Sequence, residues 1–381
     1  MPYPQLDRRK LNVRPLCERK NKVEIERDLV PLTAKPRPFA DRDARIVDET
    51  VARMQEARDS GRARMLAFGA HTIKNGLATV LIRLIESGWI THLATNGAGI
   101  IHDWEFAFQG RSSEDVRTNM AQGRFGLWEE TGYYINLALI VGAYEGLGYG
   151  ESIGKFVEND GLEIPSEQEL RNVVESSLES DVDKAAAAAD LLQAIRTFDV
   201  NSGWMKVPHR YRPYGLQAAA YRLGVPFTGH PMIGHDIIYC HAMNSCAAVG
   251  RAAQRDFLTF ANSVFNIDGG VYLSIGSAVM SPMVFEKSMA MAQNLAIQND
   301  WRIENHVIVV VDLQESNWDW SRGEPGEDNP DYYLRYCKSF SRAGGAMRYL
   351  CADNRDFLLA VLQRLDNIKP QAQWRPRGER E

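Results

Sequence analysis

The stretch RMLAFGAHTIKNGLATVLIRLIESGWITHLATNG, residues 64–97, decides the fold. It opens with a short apolar run that ends at Gly69, and it closes with a second run that leads into Asn96 and Gly97. Between the two runs, apolar residues recur on one helical face, at Leu77, Leu81, Leu84 and Ile85. A strand, a helix and a strand at this length predict a βαβ unit, whose strands are parallel and joined by a right-handed crossover.

The rest of the chain continues this alternation. Three further apolar runs predict buried strands, at 270–278, 306–313 and 345–353. Helical patterns follow the first at 281–296 and the last at 354–367, and the middle of the chain is mostly helical, with a capping-box signature at Ser166 and Glu169. The sequence therefore predicts an α/β fold, a Rossmann-like open parallel sheet with helices on both faces.

The domain organisation follows from where this periodicity begins and ends. Residues 1–45 are charged, carry six prolines and show little periodicity, so we expect an extended arm lying on the surface or on a neighbouring subunit. Residues 46–370 are predicted to form a single large domain with a helical insertion around 110–205, and 371–381 a flexible tail.

Composition narrows the classes of function. A formal net charge of −5 gives no electrostatic case for binding nucleic acid or an anionic membrane. No apolar run reaches the roughly 18 residues that span a bilayer, and the N-terminus lacks the layout of a secretory signal. The five cysteines contain no CxxC pair, which indicates reduced thiols and a cytoplasmic protein.

Several predicted strands end in glycine or polar residues. The residues concerned are Gly69-Ala70-His71, Asn96-Gly97, Gly276-Ser277, Asp312 and Asp353. In an open parallel sheet, ligands bind outside the carboxyl ends of the strands, where glycines allow the backbone to approach a phosphate and the next helix offers free N–H groups. This pattern predicts a nucleotide site, with the Asn-Gly-Ala-Gly segment after the second strand as a turn beside the nucleotide.

Two other segments carry candidate chemistry. In GHPMIGHDIIYCH, spacings of five and six residues do not place His230, His235 and His241 on one helical face, so Asp236 is favoured as an active-site carboxylate over a metal site. Metal-assisted hydrolysis stays open as an alternative. In PDYYLRYCKSF, Lys338 among tyrosines is either a surface residue with a packed stem or a desolvated amine able to form an imine.

These motifs together resemble the deoxyhypusine synthase family, over roughly residues 64–366. The clearest match is NPDYYLRYCK, in which the family's Pro-Asp falls on Pro330-Asp331 and its imine-forming lysine on Lys338. YLSIGSAVMSPMVFEKSMA is similar to the family's strand, glycine triplet and helix, and VPFTGHPMIGHDIIYCH to the segment whose aspartate contacts cofactor and amine. The resemblance implies an NAD-dependent transferase that acts on an amine through a lysine imine.

The resemblance also implies roles for individual residues. Lys338, Asp236 and His102 become the catalytic candidates. The cofactor-binding candidates are Ala70, His71, Asn96, Gly97, Ala98, Gly99, Gly276, Ser277, Ala278 and Asp353. The substrate-binding candidates are Tyr332, Tyr336 and Glu286. No metal is expected, and the expected cofactor is NAD.

Departures from the family pattern bear on the substrate. The family's paired glutamates are Ile101 and His102 here, a histidine is Pro282, and a glutamate after the Pro-Asp is Tyr332. Such carboxylates hold the ammonium groups of a polyamine, so spermidine is not the expected substrate. A catalytically altered dinucleotide-binding protein on the same scaffold is the alternative.

The family's assembly implies a homotetramer, a dimer of dimers with shared active sites. The stretch GLWEETGYYINLALIVGAYEGLGYG, residues 126–150, is rich in aromatic and aliphatic residues and suggests a surface covered by a partner subunit. The alternative is that this stretch forms an internal pair of helices.

Overall fold

A computed structural model of the chain describes residues 3–368. Its strands, numbered in chain order, are β1 Asn21–Glu24, β2 Arg64–Phe68, β3 His92–Asn96, β4 Arg111–Glu114, β5 Gly161–Ile164, β6 Gly203–Lys206, β7 Phe227–His230, β8 Val271–Ile275, β9 Val307–Asp312 and β10 Ala346–Cys351. Its α-helices are α1 Ile25–Asp28, α2 Asp41–Asp59, α3 Ala70–Lys74, α4 Ala78–Glu86, α5 Gly97–Gln109, α6 Val116–Ala121, α7 Glu129–Glu145, α8 Tyr149–Glu158, α9 Glu167–Ser177, α10 Val182–Phe198, α11 Leu216–Leu223, α12 Cys246–Phe265, α13 Met280–Gln298, α14 Arg335–Ser341 and α15 Asn354–Asp366.

The chain divides into two compact units, each assembled from three segments. Unit 1 comprises the residues up to Asp28, Asn96–Ala218 and Gly229–Asp256. Unit 2 comprises Leu29–Thr95, Ala219–Thr228 and the residues from Phe257 onward. Whether these units behave as the single domain expected over 46–370 stays a prediction, and the expected flexible tail over 371–381 lies outside the described residues.

Unit 2 is organised around the main sheet, which has six parallel strands flanked by helices in the order β10-β9-β8-β2-β3-β7. Counted within the sheet and read from β7, this is the order 3-2-1-4-5-6 of the doubly wound dinucleotide-binding fold. Strands β2 and β8 are buried at every position, as expected of parallel strands covered on both faces. The predicted fold class is confirmed.

The predicted βαβ unit is present in unit 2. Strands β2 and β3 pair in parallel with Met65 opposite His92, and α3 and α4 connect them. Helix α4 buries its apolar side chains, among them Leu81, Leu84 and Ile85. The three later strand predictions correspond to β8, β9 and β10, which extend the same sheet.

Unit 1 is mainly helical, with two small antiparallel sheets, β1–β4 and β5–β6. The predicted capping box is formed at the start of α9, where Ser166 accepts from the Glu169 backbone and Glu169 from that of Ser166. Helix α7 buries residues on every side, so the apolar stretch 126–150 is largely interior to this chain and not a surface for a partner. The homotetramer itself stays a prediction.

The first part of the expected arm belongs to unit 1. Strand β1 pairs with β4, with Val23 opposite Ser112, and the Arg14 N–H donates to the Leu127 carbonyl at 3.0 Å. Leu16 and Arg19 are almost fully buried. Among residues 3–368, no helix is both long and apolar enough to cross a membrane.

Candidate functional site

In unit 2, two glycine turns meet where the strand order reverses, at the carboxyl ends of β2 and β8. The Gly69 N–H donates to the Ile275 carbonyl at 3.0 Å, and the Gly276 N–H donates to the Val311 carbonyl at 2.8 Å. A β-carbon at Gly69 would overlap the carbonyl oxygen of Gly276. Gly276 has φ +56°, and the space that its own β-carbon would occupy is open. Only glycine therefore fits at 69, and the backbone at 276 is accessible to a ligand.

The turn after β8 leads into the long helix α13. The Ser277 hydroxyl accepts a hydrogen bond from the Ser281 N–H at 3.2 Å, while Ala278 continues the turn. Exposed apolar side chains follow the ends of β8 and β9, with exposed fractions of 58% for Val279, 48% for Met283 and 73% for Leu313. The carboxyl edge of the sheet thus has the exposed backbone of Gly276 beside exposed apolar side chains.

The other candidates at this edge have assigned local roles. Ala70 and His71 begin α3 directly after Gly69, with His71 exposed. The Asp353 carboxylate caps α15 by accepting from the Arg355 N–H at 2.9 Å, and it lies 3.3 Å from the Arg37 guanidinium. Asp353 therefore already has two partners, and a role in holding a cofactor stays a prediction.

Lys338 lies in a cluster of charged and aromatic groups. Its Nζ is 3.1 Å from the centre of the Tyr332 ring and 4.0 Å from a carboxylate oxygen of Glu324. Only 17% of its side chain is exposed. Glu324 also accepts from the Arg342 guanidinium through both oxygens. The lysine is thus more than a surface residue, since a ring face and a carboxylate both contact the amine.

The two remaining substrate candidates lie on different sides of this cluster. The Lys287 ammonium donates to Glu286 on α13 at 2.6 Å. This bond lowers the pKa of the Glu286 carboxyl, with smaller contributions from Ser339 and Arg342. The Tyr336 hydroxyl instead lies 3.2 Å from that of Tyr349. Glu286 therefore neighbours the helix of Lys338, whereas Tyr336 is engaged with β10.

In unit 1, the Asn-Gly-Ala-Gly segment is the first turn of a helix. Asn96 is the last residue of β3, as expected of a strand end. The predicted turn is absent, because Asn96 also caps α5 by accepting from the Gly99 N–H at 2.9 Å and the helix begins at Gly97. The N–H groups of Gly97 and Ala98 precede the first intrahelical bonds. A β-carbon at Gly97 would overlap the carboxylate of Asp236.

Asp236 is a buried carboxyl group with an unsatisfied oxygen. It is 9% exposed, and its Oδ2 has no hydrogen-bond partner among the described residues. Burial raises its pKa to about 6, against a smaller opposing effect of His235. The hydroxyls of Tyr149 and Tyr239 also have no partner within residues 3–368, and burial raises the pKa of both, with a smaller contribution from the charge of Asp236. This cluster is suited to binding a hydrogen-bond donor or a cation.

His102, also on α5, is half-buried. Its Nδ1 lies 2.6 Å from the Ser112 hydroxyl, which in turn lies 2.5 Å from Glu105. The orientation of the His102 ring is therefore fixed by Ser112 of β4, which is itself bonded to Glu105 of α5.

The histidines of the GHPMIGHDIIYCH segment are not brought into a ligand set. His241 accepts from the Met243 N–H through Nδ1 at 3.0 Å, and its Nε2 lies 3.4 Å from Glu129. Burial lowers the pKa of His230 to about 3. In the part of the chain that is described, no three His, Cys, Asp or Glu side chains are grouped so as to hold a metal.

Sequence reasoning missed the residues that surround these candidates. Glu324 lies 14 positions before Lys338 in a loop without periodicity, and nothing local links the two. The ion pair of Arg19 with Glu105 joins residues 86 positions apart, and no local sequence pattern predicts it. The one local signal was Asn96, a preferred helix N-cap, which predicts a helix start at Gly97.

No family model matches the chain. No curated protein matches it either. Among solved structures, it is similar to a conserved LOR/SDH protein from Methanococcus maripaludis S2, with 13% identity over 89% of this chain and 71% of that one and a TM-score of 0.42. It is also similar to AgrE, which was solved without ligand and with ornithine and NAD+, with 15% identity over 87% of this chain and a TM-score of 0.42.

The chain spans 34% of the length of AgrE. A protein from Entamoeba histolytica assigned as a deoxyhypusine synthase aligns with 10% identity over 85% of this chain and 89% of that one, with a TM-score of 0.37. At these identities and TM-scores, the similarities assign neither an activity nor a ligand. The function has to be argued from the residues of this chain.

Proposed function

We propose that this protein binds NAD at the carboxyl ends of β2 and β8 and acts on an amine substrate through Lys338. The observation that carries the proposal is the pair of glycine turns, Gly69 and Gly276, at the point where the strand order reverses. The resemblance of the motif around Lys338 to the deoxyhypusine synthase family supports the choice of cofactor and nucleophile. The amine is not expected to be spermidine, since the carboxylates that would hold a polycation are replaced.

The residues at this edge of unit 2 fit a dinucleotide. The open space beside Gly276 lets phosphate oxygens approach the backbone, and the start of α13 supplies the positive end of a helix dipole. Val279 and Leu313 present apolar surface for a flat ring. When bound, NAD+ supplies a hydride acceptor that converts an amine to an imine.

The groups around Lys338 suit an amine substrate. The Tyr332 ring and the Glu324 carboxylate both attract a cation, so a substrate ammonium can exchange with that of Lys338 at this place. Helix α13 links this cluster to the glycine turn, because Glu286 lies six residues from the start of the helix, about 9 Å along its axis.

Lys338 is proposed as the covalent nucleophile. Its neutral amine adds to the carbon of a substrate imine, Glu324 accepts the proton that Nζ gives up, and the departing amine leaves with a proton. This leaves the carbon joined to Lys338 as an imine. An acceptor amine then displaces Lys338 by the same steps in reverse and becomes joined to the carbon as an imine. Return of the hydride that NAD+ had taken up would reduce this imine, so the overall reaction would transfer an alkyl group between amines without net oxidation.

Reductive trapping tests this proposal. The protein is incubated with NAD+ and a panel of primary amines, treated with borohydride and mapped by mass spectrometry, and we expect an adduct on Lys338 that requires both NAD+ and the amine. Lys338→Arg should abolish the adduct while leaving NAD binding, measured by calorimetry, unchanged. Lys287→Arg is the matched control, because Lys287 is half-exposed and paired with Glu286. An adduct that survives in Lys338→Arg, or forms without NAD+, contradicts the proposal.

A second candidate is a dinucleotide-binding protein without turnover. The contact of Lys338 with Tyr332 and Glu324 favours it, because both groups occupy the amine that would have to attack a substrate. NAD binding without an adduct for any amine in the panel would support this candidate. Absence of NAD binding at millimolar concentration would exclude both.

A further inference from the structure

Among the described residues, a cleft in unit 1 shares no lining residue with the candidate sites around Gly276, Lys338 and Asp236. Its volume is about 620 Å³, within the range of about 300–1,000 Å³ that is usual for small-ligand sites. Its walls come from the junction of β1 and α1, from the last turn of α5 with the start of β4, and from residues 208–211. All of these segments belong to unit 1, so the cleft is complete within that unit.

Two aromatic rings line this cleft, and the end of α5 holds both in place. The Phe108 ring stacks on the buried ring of Trp104, with the two centres 4.9 Å apart and the planes 13° from parallel. The Tyr211 ring lies so close to Gly110 that a β-carbon there would overlap it, and Gly110 has φ +69°, which glycine adopts without strain. Both rings are half-buried, so each keeps part of its surface in the cleft. The cleft thus offers a preformed surface for a flat group.

A carboxylate and a guanidinium face the cleft from the small β1–β4 sheet. Glu24 and Arg111 are directly opposite each other in this antiparallel pair, so their side chains leave the same face of the sheet. Opposite charges in such positions commonly pair. Within residues 3–368, however, neither charged group has an ion-pair or hydrogen-bond partner, whereas Lys22 of β1 lies 2.7 Å from Asp115. The charges of Glu24 and Arg111 are therefore available to a ligand.

The balance of charge in the cleft selects a class of ligand. Glu26 and Arg210 are exposed at its rim, so two carboxylates match two guanidiniums, and the cleft favours neither a polyanion nor a polycation. Directly opposite β-carbons are about 5 Å apart, which lets Glu24 and Arg111 meet the ammonium and the carboxylate of one α-amino acid. The last turn of α5 adds the negative end of a helix dipole, which stabilises an ammonium group.

We propose that this cleft binds an α-amino acid with an aromatic side chain, as its zwitterion. Glu24 accepts from the ammonium of the ligand, and the Arg111 guanidinium donates to its carboxylate. The ring of the ligand lies against Phe108 and Tyr211. The site is independent of the proposed reaction of NAD at β2 and β8, and a failed trapping experiment at Lys338 leaves it unaffected.

Three ligands with the same ring test the two charges of the proposed ligand. L-Tryptophan carries both charges, tryptamine lacks the carboxylate, and indole-3-propionate lacks the ammonium. By calorimetry on the full chain without NAD, we expect L-tryptophan to bind in the millimolar range or more tightly. Each of the other two should bind at least about fivefold more weakly, because it leaves one charged group of the cleft without a partner. No binding of L-tryptophan at millimolar concentration, or a smaller loss for either analogue, overturns the proposal.

Single substitutions assign this binding to the cleft. In Arg111→Gln, L-tryptophan should bind no more tightly than tryptamine, and in Glu24→Gln no more tightly than indole-3-propionate. Lys22→Gln is the matched control and should keep the wild-type affinities, since Lys22 lies on β1 but pairs with Asp115. Wild-type discrimination in Arg111→Gln or in Glu24→Gln shows that the amino acid binds elsewhere and overturns the assignment. Each variant decides by itself, so one that fails to fold, by circular dichroism, leaves the other as the test.

Discussion

Arg19→Met should destabilise the protein strongly although Arg19 lies in the charged N-terminal segment. The substitution keeps an unbranched, flexible side chain and removes the charge and the hydrogen-bond donors. It breaks two bonds to Glu105 and one to Asn21, and it leaves the Glu105 carboxylate buried without its cation.

The magnitude follows from the burial of both partners. Removing one partner of a buried ion pair costs about 3–5 kcal/mol, because the remaining charge stays desolvated. Two charge-assisted hydrogen bonds at about 1.5–3 kcal/mol each give a similar sum. We therefore expect the free energy of unfolding to fall by about 4 kcal/mol in Arg19→Met. Arg19→Met/Glu105→Gln should recover at least about 1 kcal/mol of this loss, because no charge remains buried.

Urea unfolding followed by circular dichroism and tryptophan fluorescence measures the change. Arg14→Met is the matched control, since Arg14 lies in the same segment and pairs with Glu18 while 39% of its side chain is exposed. It should cost under about 1 kcal/mol. A loss in Arg19→Met no larger than in Arg14→Met would refute the reasoning.

Three further predictions concern the buried carboxyl and the glycines. Burial raises the pKa of Asp236 in the folded protein from 3.8 to about 6, so protonation of this carboxyl stabilises the wild type fully below pH 4, and the stabilisation is lost as the pH rises through 6. The free energy of unfolding of Asp236→Asn, measured in urea, should therefore rise by about 3 kcal/mol relative to that of the wild type between pH 4 and 7. A difference between the two proteins that does not change with pH contradicts this. Gly97→Ala should cost about 1–3 kcal/mol through overlap with Asp236, whereas Gly250→Ala, a helix position with open space, should be neutral or stabilising; equal effects would dismiss the overlap. Gly69→Ala should displace the Gly276 turn and weaken NAD binding at least tenfold by calorimetry, and wild-type affinity in a folded variant would count against the site.

The sheet was predictable because parallel strands covered on both faces consist of continuous apolar runs. Strand β9, VIVVVD, is such a run, and its buried positions need no partner to be recognised. The order of the strands was not predictable, since the sequence does not state which strand lies beside β2. That order is what places Gly69 against Gly276.

The candidate site was predictable only where a single residue type carries the signal. Lys338 among tyrosines and Asp236 in its histidine-rich segment were visible in the sequence. The partners that determine their chemistry were not, because Glu324 and Tyr149 come from loops and helices with no periodic relation to them. Asn96 was visible but was assigned to a turn, since the glycines that follow it are weak helix formers.

The division of each unit into three segments bears on how the protein is made. The chain passes between the units five times, at residues 28, 95, 218, 228 and 256. On a ribosome, unit 1 lacks its last segment until Asp256 has emerged, and unit 2 lacks β8, β9 and β10 until later still. Because each unit consists of three separate segments, cutting the chain once releases neither unit intact. Contacts between residues so far apart in the chain slow folding. Until β8, β9 and β10 have been synthesised, β2 and β3 lack part of their sheet, and such unpaired strand edges are prone to aggregation.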